Sequence, residues 1–271
     1  MSSPIQFLPP QRPSRETVLC LHASATSARS WRRLLAPLDQ DFELLVPERL
    51  GCAEGECWPV GAPAPLDAEA RHLAPLLNSR PHGVHLVGHS FGAAVALQIA
   101  LRWPSRVRSL TLYEPSRFAL LFGAADTVEA GNEILQFGRG VGFAVLSGRV
   151  REAAANFVDY WSGAGAWHAL DLRRQQAIVR QMPKVQAEFE AAFADRVPMA
   201  AFRALTMPMR LIRGDASPLP SRQIVARLAT LPISTTKVLA GVGHMGPLTD
   251  AARVLDALPA WLQPTRQMLA A

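Results

Sequence analysis

Short runs of apolar and β-branched residues recur along the chain at 17–21, 42–46, 84–87, 107–113, 209–212 and 235–239, each bounded by polar, glycine or proline residues. Runs of this length predict strands covered on both faces, as in a parallel sheet. Between the early runs the apolar residues fall at helical spacing. Trp31, Leu34, Leu35 and Leu38 predict a helix over 30–38, and Leu73, Leu76 and Leu77 predict one over 66–77. The alanine-rich text 91–101 predicts a third, stopped by Pro104. The loop from 48 to 65, with Gly51, Gly55, Gly61 and several prolines, predicts irregular backbone.

From about 116 to 207 the strand pattern disappears. Helices are predicted over 127–137, 142–161 and 170–193, with breaks at Gly138-Arg139-Gly140 and at residues 162–165, and a last helix over 250–262. Alternating strands and helices imply an α/β fold built on a doubly wound, mostly parallel sheet with right-handed crossovers. A helical stretch of roughly 90 residues then reads as an insertion. The expected organisation is a core of residues 1–115 and 208–271 and a helical cap, or lid, of residues 116–207.

Composition narrows the class. In 271 residues, 49% are hydrophobic and 18% charged, which supplies a large buried core and excludes disorder as the main state. The formal charge of +6 raises the question of nucleic acid. The arginines, however, are scattered from Arg12 to Arg266 with only pairs such as Arg32-Arg33 and Arg173-Arg174, and no basic run is interleaved with aromatics, so no nucleic-acid partner is expected. Residues 1–15 hold no apolar run of signal-peptide length and no stretch suits a membrane span, so a cytoplasmic protein is expected. Cys20, Cys52 and Cys57 lack zinc-ligand companions and are expected to be free thiols.

The sharpest chemical signal is Gly88-His89-Ser90-Phe91-Gly92, a G-x-S-x-G placed where a predicted strand meets a predicted helix. So tight a turn pushes the serine backbone toward positive φ and brings strand and helix together, which small flanking residues permit; the hydroxyl then projects at the carboxyl edge of the sheet. Serine needs a base, and the base needs an orienting carboxylate. His244, within Gly241-Val242-Gly243-His244-Met245-Gly246, follows the last strand on the same sheet edge and is the candidate base.

In element order, and in these motifs, the chain resembles the α/β-hydrolase family from about residue 17 to residue 262, with the helical stretch where that family carries its cap. The resemblance implies an oxyanion hole of two backbone N–H groups. His22-Ala23-Ser24 matches the family's His-Gly loop, with Ala23 at the glycine, so the donors would be Ala23 and Phe91. The family's usual acid position aligns with Ser217 in Gly214-Asp215-Ala216-Ser217-Pro218, which carries no charge. Two carboxylates remain: Glu114, after the strand 107–113, is preferred, since some members place their acid there, and Asp215 is the alternative. The family's first antiparallel strands would be reduced to something near residues 5–8.

His22, Ser24, Trp161 and Trp167 are candidates for lining a substrate pocket, with Phe157 and Tyr160 further aromatics in the cap. The resemblance implies a serine hydrolase of the carboxylesterase type acting on a small-molecule ester and needing neither metal nor organic cofactor. Thioesters, lactones and carbon–carbon bonds are open to the same triad. A non-catalytic binding protein on the same fold is the competing class, kept open by the uncharged Ser217. Nothing in the sequence fixes an oligomeric state.

Overall fold

The computed structural model describes residues 15–52 and 56–262. The strand expected near residues 5–8 and Gly55 lie outside the described residues. In chain order the elements are β1 (Thr17–Leu21), α1 (Ala28–Leu35), β2 (Glu43–Leu45), α2 (Leu66–Asn78), β3 (Val84–His89), α3 (Phe91–Arg102) and β4 (Val107–Tyr113). Four helices follow, α4 (Val128–Leu146), α5 (Val150–Ser162), α6 (Leu172–Ala194) and α7 (Met199–Arg203). The chain then returns through β5 (Met209–Gly214), α8 (Leu219–Leu228), β6 (Ser234–Leu239), α9 (Gly246–Thr249) and α10 (Ala251–Asp256).

The six strands form one sheet in the order β2-β1-β3-β4-β5-β6, and every neighbouring pair is parallel. Strand periodicity explains why it is wound on both faces. Leu19 and Leu21, Leu86, Leu112 and Leu211 point into a core with α2, α3, α8 and the helices between β4 and β5. Their neighbours Val18 and Cys20, Val87, Tyr113 and Ile212 point the other way, against Trp31, Leu34, Leu35 and Val254. The order of the sheet reverses direction between β1 and β3, so loops leaving the carboxyl ends of β1, β3 and β4 converge there.

Several element boundaries depart from the expectation. Gly138-Arg139-Gly140 does not break a helix: α4 runs through it, because a Cβ on Gly138 would lie 2.8 Å from the Phe193 ring and 2.9 Å from that of Phe189, and its absence lets α6 pack close. The break comes instead at Gly148, whose φ is +75°. The final helix is shorter than 250–262, since α10 ends at Asp256 and a 3₁₀ turn, Ala260–Leu262, follows Pro259. Helix α6 begins only at Leu172, where the Asp171 carboxylate accepts from the Arg174 N–H at 2.8 Å.

Candidate active site

Ser90 occupies the single residue between β3 and α3, at φ 55° and ψ −122°. This strained conformation for a non-glycine residue costs about 1–3 kcal/mol and is held by its surroundings. The glycines around it are obligatory: a Cβ on Gly88 would sit 2.6 Å from the Ala93 Cα, and one on Gly92 would sit 2.3 Å from the Leu21 carbonyl oxygen. The Ser90 N–H donates to the Tyr113 carbonyl at 2.9 Å, tying the turn to β4. The hydroxyl is thereby fixed above the sheet, 3.0 Å from His244 Nε2.

His244 Nδ1 lies 2.7 Å from Glu114 Oε2. Glu114 is fully buried, at φ 46°, one residue past the end of β4. Its other oxygen accepts from the Gly214 N–H at 2.7 Å and the Ser217 hydroxyl at 2.6 Å. The carboxylate thus has partners on both oxygens, which makes its burial tolerable. Ser217, at the position where an acid was sought, is a donor to that acid. Asp215 lies elsewhere: it is exposed and accepts from the Gly241 N–H at 2.6 Å, bridging two loops away from the imidazole. Ser90, His244 and Glu114 are brought together, and Asp215 is not.

Neighbours without a place in the sequence reading hold the histidine loop. His89 Nε2 donates to the His244 carbonyl at 2.8 Å, and the Tyr113 hydroxyl donates to the Gly243 carbonyl at 2.7 Å. Burial first, and the nearby His244 second, push the His89 imidazole well below its usual range, so it is a neutral donor. Ser116 Oγ lies 3.0 Å from Ser90 Oγ, making it a second hydroxyl at the centre. The only sequence signals for these residues were their places beside Ser90 and Glu114.

Ala23 lies in the loop after β1, and Phe91, next to Ser90, is the first residue of α3. The pocket candidates do not lie together. A cavity of about 690 Å³ opens beside the His244 loop, bordered by Glu133, Tyr160 and Trp161 from α4 and α5 and by Ser217, Gly243 and Met245 from the loops after β5 and β6. The Trp161 ring lies over the imidazole, with centroids 4.2 Å apart. His22, Ser24 and Trp167 do not border this cavity. His22 is buried with its ring nitrogens 3.0 Å from the Ala23 carbonyl and 3.1 Å from the Glu48 carboxylate, a loop scaffold. Ser24 sits half-buried in the turn after β1. Trp167 is buried within the helical stretch, its backbone N–H donating to the Asp159 carboxylate and its ring under the Arg151 guanidinium. Phe157 likewise packs inward, against Trp161 and Phe189.

Among the described residues no group of three or more His, Cys, Asp or Glu side chains is arranged to hold a metal ion, and no helix is long and apolar enough to cross a membrane. Cys20 and Cys52 are buried, which raises both thiols and disfavours the thiolate, while Cys57 is exposed.

Residues 18–257 match the model of the Alpha/beta hydrolase family. Lipase LipV of Mycobacterium tuberculosis (strain ATCC 25618 / H37Rv) is 36% identical over 113 residues, which is 41% of this chain and 41% of the lipase. The matched part is therefore less than half the length of that relative. In fold, the chain is similar to a hydrolase from Pseudomonas aeruginosa PA01, with a TM-score of 0.70 and 19% identity over 91% of each chain. It is also similar to a thermophilic esterase from Thermogutta terrifontis, with a TM-score of 0.69 and 22% identity, covering 92% of this chain and 90% of that one.

Proposed function

Because the chain belongs to the alpha/beta hydrolase family, we propose that it is a serine hydrolase that cleaves a small-molecule carboxylic ester through an acyl-enzyme. The observation that carries this reading is the continuous hydrogen-bonded row from Ser90 Oγ through the His244 ring to Glu114, with steps of 3.0 Å and 2.7 Å. Ser90 Oγ attacks the acyl carbonyl carbon while His244 Nε2 takes its proton, and Glu114 stabilises the imidazolium so formed. The backbone N–H groups of Ala23 and Phe91 hold the oxyanion of the tetrahedral intermediate. Collapse expels the alcohol, protonated by His244. A water molecule, deprotonated in turn by His244, then attacks the acyl carbon, and His244 returns that proton to Ser90 Oγ as the carboxylic acid leaves.

Residues 116–207 are proposed to act as the cap. Tyr160 and Trp161 come from this stretch and face Gly243 and Met245 across the cavity, so the acyl or alcohol group is sized between cap and core. Supporting the catalytic over the purely binding reading, the carboxylate that position 217 lacks is supplied by Glu114, and Ser217 hydrogen-bonds to it.

The test is twofold. A fluorophosphonate is expected to label the parent at Ser90 and leave Ser90→Ala unlabelled; an intact parent that never labels refutes the nucleophile assignment. A panel of p-nitrophenyl esters of increasing chain length, with a thioester, a lactone and a diketone alongside, is expected to show ester turnover fastest. Faster turnover of another class would keep the triad and change the substrate.

A further inference from the structure

A cluster of acidic and basic side chains is buried beside the site yet takes no part in the row Ser90, His244 and Glu114. Arg49, in the loop after β2, is buried, as are Glu69 of α2 and Lys184 and Glu188 of α6. Arg49 Nη1 is 2.7 Å from Glu188 Oε1 and 3.3 Å from Glu69 Oε1, and Lys184 Nζ is 2.7 Å from Glu69 Oε1. Two cations and two carboxylates balance. The remaining edge of the guanidinium is turned to the loop after β1: Nε donates to the His22 carbonyl at 2.9 Å and Nη2 to the Ala23 carbonyl at 3.3 Å. Its face lies over the Phe91 ring, 5.1 Å from the centroid.

The contact to His22 has a consequence fixed by peptide geometry. The His22 carbonyl and the Ala23 N–H belong to one planar trans peptide and point in opposite directions. A donor that grips the carbonyl therefore aims the N–H the other way. A cationic donor also draws electron density through the amide and makes that N–H a stronger donor. We propose that Arg49 is a positioning residue for the oxyanion hole, aiming and polarising the Ala23 N–H. This rests on the reading of Ser90 as nucleophile and of Ala23 as an oxyanion donor. The same four-residue cluster also ties α6 to the core, so the test must separate positioning from that structural tie.

Removing Arg49 alone would strand buried carboxylates, so the two Arg49 variants preserve charge balance. Arg49→Lys keeps the cation but lacks the fork that spans carboxylate and carbonyl together. Arg49→Gln combined with Glu188→Gln removes one charge of each sign. Glu188→Gln alone loosens the tie to α6 while leaving Arg49 its two carbonyls. Each is compared with the parent for kcat and KM on a p-nitrophenyl ester, for near-ultraviolet circular dichroism, and for inhibition by a trifluoromethyl ketone, whose adduct with Ser90 places an oxyanion in the hole.

The expected result for the two Arg49 variants is a native dichroism spectrum, a kcat lower by about 10- to 100-fold with KM within about threefold, and ketone affinity lost in parallel. Glu188→Gln is expected to stay within about threefold of the parent in kcat. A folded Arg49 variant that keeps parental kcat and ketone affinity overturns the proposal, as does a Glu188→Gln loss equal to that of Arg49→Lys. A parent that neither labels at Ser90 nor binds the ketone overturns the nucleophile reading and this inference with it. Failure confined to the Arg49 variants' pattern overturns the inference alone.

Discussion

Replacing Glu114 by Gln is isosteric, yet the surroundings of Glu114 dictate a large effect. One carboxylate oxygen accepts two hydrogen bonds, from the Gly214 N–H and the Ser217 hydroxyl. The new amide must therefore place its oxygen there, and at ~1 kcal/mol per bond this preference holds about 97% of molecules in that orientation. The amide NH₂ then faces His244 Nδ1, 2.7 Å away in the parent. Nδ1 is forced to accept, the ring proton moves to Nε2, and the imidazole cannot take the proton of Ser90. Loss of the carboxylate charge beside the imidazolium costs a further amount of about 4 kcal/mol at an effective dielectric of about 20.

Together these give about 6 kcal/mol, or roughly four decades in rate. The assay is kcat/KM on a p-nitrophenyl ester, with circular dichroism to show that the fold is retained. Asp215→Asn, which keeps an acceptor for the Gly241 N–H at an exposed turn, is the control, expected within about threefold of the parent. A Glu114→Gln enzyme within tenfold of the parent, or one less impaired than Asp215→Asn, would refute the argument.

Ser90→Ala and His244→Ala are each expected to lower ester turnover by several orders of magnitude, and the double variant to be no worse than the poorer single, because such residues act as a unit; additive losses would contradict this. Gly92→Ala drives a methyl group to 2.3 Å from the Leu21 carbonyl, a backbone atom that cannot step aside, and is expected to cost about 3 kcal/mol or more in urea unfolding, whereas a neutral result would dispute the close approach of α3 to β1. His89 is buried neutral with its pKa pushed below 6.5 chiefly by desolvation, so the unfolded chain binds the extra proton first. Its contribution to stability is complete above about pH 6.5 and is lost as the pH falls, by up to about 1.4 kcal/mol per pH unit. Urea midpoints between about pH 7.5 and 5 are expected to fall toward acid, more steeply for the parent than for His89→Asn; equal slopes would place the titration elsewhere.

The legible and the illegible parts of the site differ in kind. Ser90 could be read because a strand, a five-residue turn with two glycines and a helix are all local, and the sterics at Gly88 and Gly92 act over a few residues of chain. Glu114 could be named only as one of two carboxylates, since local text ranks Asp215 nearer the family's usual place. What separates them is a distance across the fold to His244, together with the donors Gly214 and Ser217 from another strand end. The break expected at Gly138 failed for the same reason: propensity argued for a stop, and the Phe189 and Phe193 rings of α6 use the missing side chain as a groove. His22 and Trp167 were polar or aromatic in the right stretch of chain, but their partners turned them inward.

By itself the sequence determined the parallel α/β architecture, the strand-turn-helix that carries Ser90 and the glycine-rich loop that carries His244, because hydrophobic period, turn sterics and strand order are properties of neighbouring residues. Tertiary structure alone decided that Glu114 faces His244, that Trp161 covers the imidazole, and that Arg49 grips the peptide leading into Ala23. Those facts depend on distances of a few ångströms between residues 27 to 139 positions apart, as the contacts of His22 and Glu188 to Arg49 and of Glu114 to His244 illustrate. Burial sets their energetics, and only the packed sheet and its helices create that burial.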